Sequence, residues 1–201
     1  MAIDSQSAKS ENPYAAPSAE TEIPIITPGE LQETELAAFV GPRASRYLAK
    51  WRQASPSARR TTFNWAAFFF GIFWLGYRKM YKVAVIFGGI MLLESLVQEI
   101  VFTGVLNRAV PAGLERAVNL GFALVCGFGG DGWYFSHALR SISELHAYGV
   151  EGGERLHALS VRGGTSWKSC LLVGLLIVLA FGTVYMILGI LLTSMGRSPA
   201  W

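Results

Sequence analysis

Hydrophobic positions along the chain fall into four runs, separated by polar, basic or glycine-rich segments. The longest, residues 170–193 (CLLVGLLIVLAFGTVYMILGILLT), carries no charge over 24 residues. At about 1.5 Å per residue, a helix of that length crosses a bilayer core with some tilt. Residues 83–106 form a second run that is long enough to cross but contains Glu94, Gln98 and Glu99. Residues 117–135 form a third, with Asn119 near its start and Asp131 near its end. Gly127, Gly129, Gly130 and Gly132 are expected to loosen its last turns. The fourth, residues 65–76 (WAAFFFGIFWLG), has 12 residues, too few for an ordinary span, and predicts an interfacial or re-entrant helix. Phe63, Tyr77 and Tyr81 beside it suit the headgroup level.

Two further stretches have helical periodicity. In residues 43–54, Ala44, Tyr47, Leu48 and Trp51 share one face, and Arg43, Arg46 and Lys50 another. That pattern predicts a helix lying on an anionic surface, with a soluble surface helix as the alternative. In residues 136–148, Ala138, Leu139, Ile142 and Leu145 form a stripe opposite Arg140, Ser141 and Glu144, suited to covering the cytoplasmic ends of spans, with Gly149 as a stop. Residues 1–30 have no apolar periodicity and hold four prolines, a composition that predicts a disordered tail. The tail lacks the basic start and apolar core of a signal peptide, so insertion is expected through the internal spans. The expected fold is therefore an all-α, polytopic membrane protein with about three transmembrane helices. Its parts are an acidic tail (1–35), a basic amphipathic segment (36–62) and a helical membrane domain (63–201).

Composition fits that class: 52% of the 201 residues are hydrophobic, 15% are charged, and mean hydropathy is +0.37. Two cysteines exclude a disulfide scaffold and a multi-cysteine metal site. The net charge of +3 hides an asymmetry, because residues 1–35 hold seven acids and one base, whereas residues 36–93 hold nine bases and no acid. Such a basic block leading into apolar sequence points to anionic lipid rather than nucleic acid. Charge also chooses a topology. If 65–76 does not cross, only Arg108, Arg116 and Arg197 of the seventeen bases lie outside. If all four runs cross, seven do. The expectation is a multi-pass protein of a bacterial inner membrane with its N-terminus in the cytoplasm.

Phe63-Asn64-Trp65-Ala66-Ala67-Phe68-Phe69-Phe70-Gly71, with Phe73-Trp74-Leu75 and Tyr77-Arg78-Lys79-Met80-Tyr81, resembles the hallmark of a family of small bacterial inner-membrane proteins, domain of unknown function 2628. Phe39-Val40-Gly41, Tyr47-Leu48 and Lys50-Trp51 resemble its lead-in, and Gly132-Trp133-Tyr134 and Gly163-Gly164-Thr165-Ser166 are similar to later pieces. The resemblance spans about residues 36–170. It implies membrane embedding and no known activity or cofactor. Asp131 stands where the family more often has a neutral polar residue such as Asn.

The polar residues inside apolar sequence are the candidates for chemistry. Glu94 and Gln98 share a helix face, with Glu99 about 100° round. A charge near the midplane costs roughly 3 kcal/mol on insertion scales, and no span supplies a base. These carboxyls are then protonated, line water, or meet a base on another chain; otherwise they are a polar packing patch. Asp131 among glycines suggests a cation contact, or a solvated end of a span. Arg78 and Lys79 suit headgroup phosphates, snorkelling or partner docking, as do Arg43, Arg46, Lys50 and Trp51. His137, His146 and His157 lack a zinc spacing, and Cys126 and Cys170 read as buried small hydrophobes, so no metal or cofactor is expected. Thr165 or Ser166 is expected to cap the last helix, with Trp167 and Lys168 at the interface. The functional expectation is a non-enzymatic accessory protein that binds another membrane protein or its own copies, with an immunity or protective role as one sub-case. The alternative is a small ion or proton transporter using Glu94, Gln98, Glu99 and Asp131. A lipid-acting enzyme is a third reading.

Overall fold

The computed structural model describes residues 28–53, 62–194 and 196. Among them every regular element is helical. Seven α-helices follow in order: α1 (Pro28–Val40), α2 (Ala44–Gln53), α3 (Trp65–Tyr77), α4 (Tyr81–Glu99), α5 (Ala112–Ala147), α6 (Gly152–Arg162) and α7 (Trp167–Ser194). A π-helical segment, Ile100–Val105, continues α4 without a break. The tail expected over 1–35 lies outside the described residues up to 27. Residues 28–35 are corrected: they belong to α1, whose Leu36, Phe39 and Val40 anchor it in the core.

The helices separate into two ends by chemistry. α1, α2, α6 and the second half of α5 pack into a polar cap. Ion pairs stitch it together: Arg155 Nε to Glu35 at 2.7 Å, Arg162 to Glu144 at 3.2 Å, and Arg52 to Glu33. Gly163 has no room for a side chain, because a Cβ there would stand 2.0 Å from the Phe39 carbonyl oxygen. Backbone bonds from Gly164 to Phe39 and from Ser166 to Tyr77 tie the turn before α7 to the cap and to α3. Ser166 Oγ accepts from the Ser169 amide, the cap that the turn sequence predicts.

α4 with its π segment, and α7, extend away from this cap. Among the described residues they are the two helices long and apolar enough to cross a membrane, 25 and 28 residues. Their apolar side chains stay exposed, among them Val85, Ile86 and Leu93 on α4 and Leu171, Val178 and Ile190 on α7. A soluble core helix would hide them. Residues 117–135, expected as a third span, fall inside α5, a helix of 36 residues that does not reach that apolarity. Asn119, five glycines and Asp131 dilute residues 117–135, and the stripe Ala138, Ile142 and Leu145 continues the same helix into the cap core.

The short aromatic helix is present as α3, packed on α5 and α7. Gly71 breaks it with φ 48° and ψ −121°, a conformation that only glycine adopts without strain. The basic helix α2 also differs from expectation. Its apolar face is not laid on lipid: Tyr47 and Trp51 are buried against Tyr134 of α5.

Candidate functional site

The segment entering α3 is fixed by one carboxylate. Asp131, on α5, is fully buried at 0% exposure. Its Oδ2 accepts from Lys50 Nζ at 3.0 Å and Thr62 Oγ1 at 2.5 Å, and its Oδ1 accepts from Asn64 Nδ2 at 2.6 Å. Asn64 has a second task, since its Oδ1 accepts the Ala67 amide at 3.0 Å and so caps α3. Its own amide donates to the Gly127 carbonyl at 2.8 Å. A buried carboxylate needs such a shell, because its desolvation is offset only by charge and hydrogen bonds. Two expectations fall here. Asp131 is neither a solvated helix end nor a cation contact, and Lys50 faces a carboxylate rather than a headgroup.

Arg78, just past the end of α3, is corrected too. It is 1% exposed instead of snorkelling. Its guanidinium lies 4.7 Å from the Tyr47 ring centroid and 4.8 Å from that of Tyr134. It donates to Tyr47 Oη at 2.9 Å and Tyr134 Oη at 3.4 Å. Nε of Arg78 has no hydrogen-bond partner among the described residues. Cation–π contact holds the charge inside without neutralising it. Trp51, expected at a headgroup or partner surface, is packed on Phe135 and is buried for the same reason. Lys79 takes a left-handed φ of 58° and donates Nζ to the Val161 carbonyl at 2.8 Å.

Beside Arg78 lies a cavity of about 360 Å³ between α2, α3 and the start of α7. Arg43, Arg46, Lys50 and Arg78 supply its charge, and Trp65, Phe70, Phe73, Tyr77 and Trp167 much of its wall. Among the described residues no acid lines it. Arg43 and Arg46 are exposed, and no carboxylate among the described residues pairs with either. The cavity thus combines uncompensated positive charge with an aromatic surface continuous with the exposed Phe69 on α3.

Glu94, Gln98 and Glu99 do come together, in a second cavity of about 300 Å³ closed by α5 and α7. Gln98 donates its amide to Glu94, and Ser95 bonds Tyr185 of α7. Glu115 and Asn119 of α5 complete the polar wall. Asp131 does not join this lining, so the four-residue acidic face expected from the sequence is two separate sites. No group of three or more His, Cys, Asp or Glu among the described residues is placed to hold a metal ion.

In the cap, burial holds the His137 imidazole below its ordinary value, with the Arg140 and Lys82 charges adding to the effect and Glu144 opposing it. The hydrogen bond from Arg52 lowers the exposed Glu33 carboxyl. The sequence reading missed the Asp131–Lys50–Thr62–Asn64 cluster and the Tyr47–Arg78–Tyr134 sandwich. The signal available was the pairing of an acid in an apolar run with the bases of the amphipathic stretch.

No curated protein and no solved structure is significantly similar to the chain. One family profile, described as "Protein of unknown function (DUF2628)", matches residues 29–140. That stretch contains Asp131, Lys50, Thr62, Asn64, Arg78, Tyr47 and Tyr134, and it ends before α6 and α7. Because the match covers more than half of the chain, the protein belongs to the DUF2628 family.

Proposed function

We propose that the chain is a non-enzymatic protein of a bacterial inner membrane that holds the headgroup of an anionic phospholipid in the cavity between α2 and α3. The observation that carries this reading is the Arg78 guanidinium, buried with Nε unpartnered among the described residues, beside Arg43 and Arg46, which pair with no described carboxylate, in a cavity that no described acid lines. A phosphate diester supplies the missing acceptor, and charged hydrogen bonds of this kind contribute roughly 1.5–3 kcal/mol each. Phe70, Phe73 and Trp65 then receive the upper acyl chain, and the aromatic rings suit the headgroup level.

The proposed topology has three crossings: α4 with its π segment, the first half of α5, and α7. Support comes from the cap, which gathers α1, α2, α6 and the end of α5. These are the segments that charge counting assigns to the cytoplasmic side with the N-terminus. α3 lies in that leaflet, and the packing of α5 on α3 shelters the glycines and Asp131 that weaken α5 as a span.

The test is native mass spectrometry of the full chain in a mild amphiphile, titrated with phosphatidylglycerol and phosphatidylcholine. Phosphatidylglycerol is expected to bind at least ~10-fold more tightly, a difference of about 1.4 kcal/mol, and to lose that preference in Arg43→Gln/Arg46→Gln. Equal retention of both lipids, or an unaffected variant, contradicts the proposal.

A second reading keeps an accessory role with a protein partner in the membrane. It is favoured by Trp65, Phe69 and Phe70, exposed together on α3. Co-purification of a stoichiometric companion, lost in Phe69→Ala/Phe70→Ala, supports it, and absence of any companion counts against it.

A further inference from the structure

We propose that the second cavity, between the end of α4, the start of α5 and α7, binds a protonated organic amine. The site is independent of the basic cavity, and no residue lines both.

Charge comes first. Glu94, Glu99 and Glu115 line the space, and among the described residues no Lys, Arg or His does. Arg108 and Arg116, the nearest bases in sequence, are not among its walls. Glu94 is partly satisfied by the Gln98 amide. Glu99 is not: the residue is 7% exposed, and its Oε1 meets no donor among the described residues. A buried carboxylate oxygen without a donor, in a cavity where no described residue is positive, calls for a cationic donor from outside.

The kind of cation follows from the rest of the wall. Among the described residues no three carboxylates converge tightly enough to hold a metal ion. Calcium and magnesium take six or more oxygen ligands at close range, and the carboxylates of this lining do not converge to start such a shell. Phe122, Phe181 and Tyr185 instead present aromatic surface, which attracts ammonium groups through the ring quadrupole. Asn119 adds a carbonyl acceptor. The cavity, about 300 Å³, suits a small molecule carrying carbon as well as charge. Entry is at the end away from the cap, where Glu115 is exposed on the first turn of α5. The π-helical segment begins at Ile100, directly after Glu99. π-Helical insertions of this kind recur at functional sites, because they re-aim the side chains beside them.

The experiment is calorimetric titration of the full chain in a mild amphiphile at low salt. The probes are 1,4-diaminobutane and n-butylamine, with sodium chloride and magnesium chloride at matched ionic strength. Saturable binding of the diamine to one site is expected, with n-butylamine binding more weakly. Glu99→Gln is expected to weaken diamine binding about 10-fold or more, and Phe181→Leu about 3-fold. Should Glu99→Gln fail to fold, Glu115→Gln, on an exposed first turn, carries the same expectation of weakened binding. No saturable binding of either amine up to about 10 mM overturns the proposal. So does wild-type affinity in whichever Glu variant folds. Displacement of the diamine by magnesium at equal concentration also overturns it, in favour of an inorganic cation.

Discussion

Replacing Asp131 with Asn tests whether the buried carboxylate holds the α2–α3–α5 junction together. The amide keeps the size and removes the charge and one acceptor. Asp131 receives three donors, at 3.0, 2.5 and 2.6 Å from Lys50, Thr62 and Asn64. The amide oxygen can serve one side of the carboxylate, so its NH2 must face Lys50 Nζ or Asn64 Nδ2. Asn64 cannot turn over to accept without giving up the Ala67 cap. Losing one charge-assisted bond costs roughly 1.5–3 kcal/mol. Breaking a fully buried ion pair costs about 3–5 kcal/mol. The Lys50 side chain is 29% exposed and can turn towards water, so the lower part of that range applies, about 3 kcal/mol in total. Lys50→Met leaves the carboxylate at 0% exposure with two neutral donors, a loss of about the same size. The double variant is then expected to lose less than the sum, with a coupling of about 1–2 kcal/mol. The assay is equilibrium unfolding of the full chain in mixed micelles, followed by tryptophan fluorescence, because Trp51 packs against Tyr134 at this junction. A change in Asp131→Asn under about 0.5 kcal/mol, or strict additivity in the double variant, refutes the reasoning.

Other perturbations reach different parts of the fold. Arg78→Lys keeps the charge but loses the planar contact with Tyr47 and Tyr134, and is expected to cost about 1–2 kcal/mol in the same unfolding assay. Gly163→Ala drives a Cβ into the Phe39 carbonyl and is expected to lower the unfolding midpoint strongly, by about 2 kcal/mol or more, while Gly153→Ala, with open space around it, stays within about 0.5 kcal/mol. His137 has a lowered folded-state pKa, so below the ordinary histidine value the unfolded chain takes up the proton more readily. Stability is therefore expected to fall as pH drops through about 6.5, and His137→Gln is expected to flatten that slope in a pH series of unfolding midpoints.

The helical class, the short aromatic helix, the last long apolar helix and the Ser166 cap were legible because each rests on local periodicity or local turn chemistry. The extent of the third run was not legible because hydropathy treats 117–135 as an isolated segment, whereas the helix runs on to Ala147 and packs on α3 and the cap. Residues 28–35 looked like tail because their charges hide a tertiary role: Glu35 is buried against Arg155 and His146, more than a hundred residues away in sequence. Arg78 and Trp51 were placed at a surface because basic and aromatic residues beside an apolar run usually snorkel. Two tyrosines from separate helices reverse that, and their approach to Arg78 depends on the fold rather than on any spacing. Glu94, Gln98 and Glu99 line one cavity, since one helix carries all three. The grouping with Asp131 failed because only the packing of α5 decides which of its faces meets α2 and which meets α4.

The most direct test of the account is the lipid that accompanies the chain out of its own membrane. The full chain, purified in a mild amphiphile and extracted, is expected to release about one anionic phospholipid per chain, and the Arg43→Gln/Arg46→Gln variant purified alongside is expected to release none above the membrane's bulk proportion. Bound lipid that mirrors the bulk membrane in both preparations would contradict the central claim that the cavity between α2 and α3 is an anionic headgroup site.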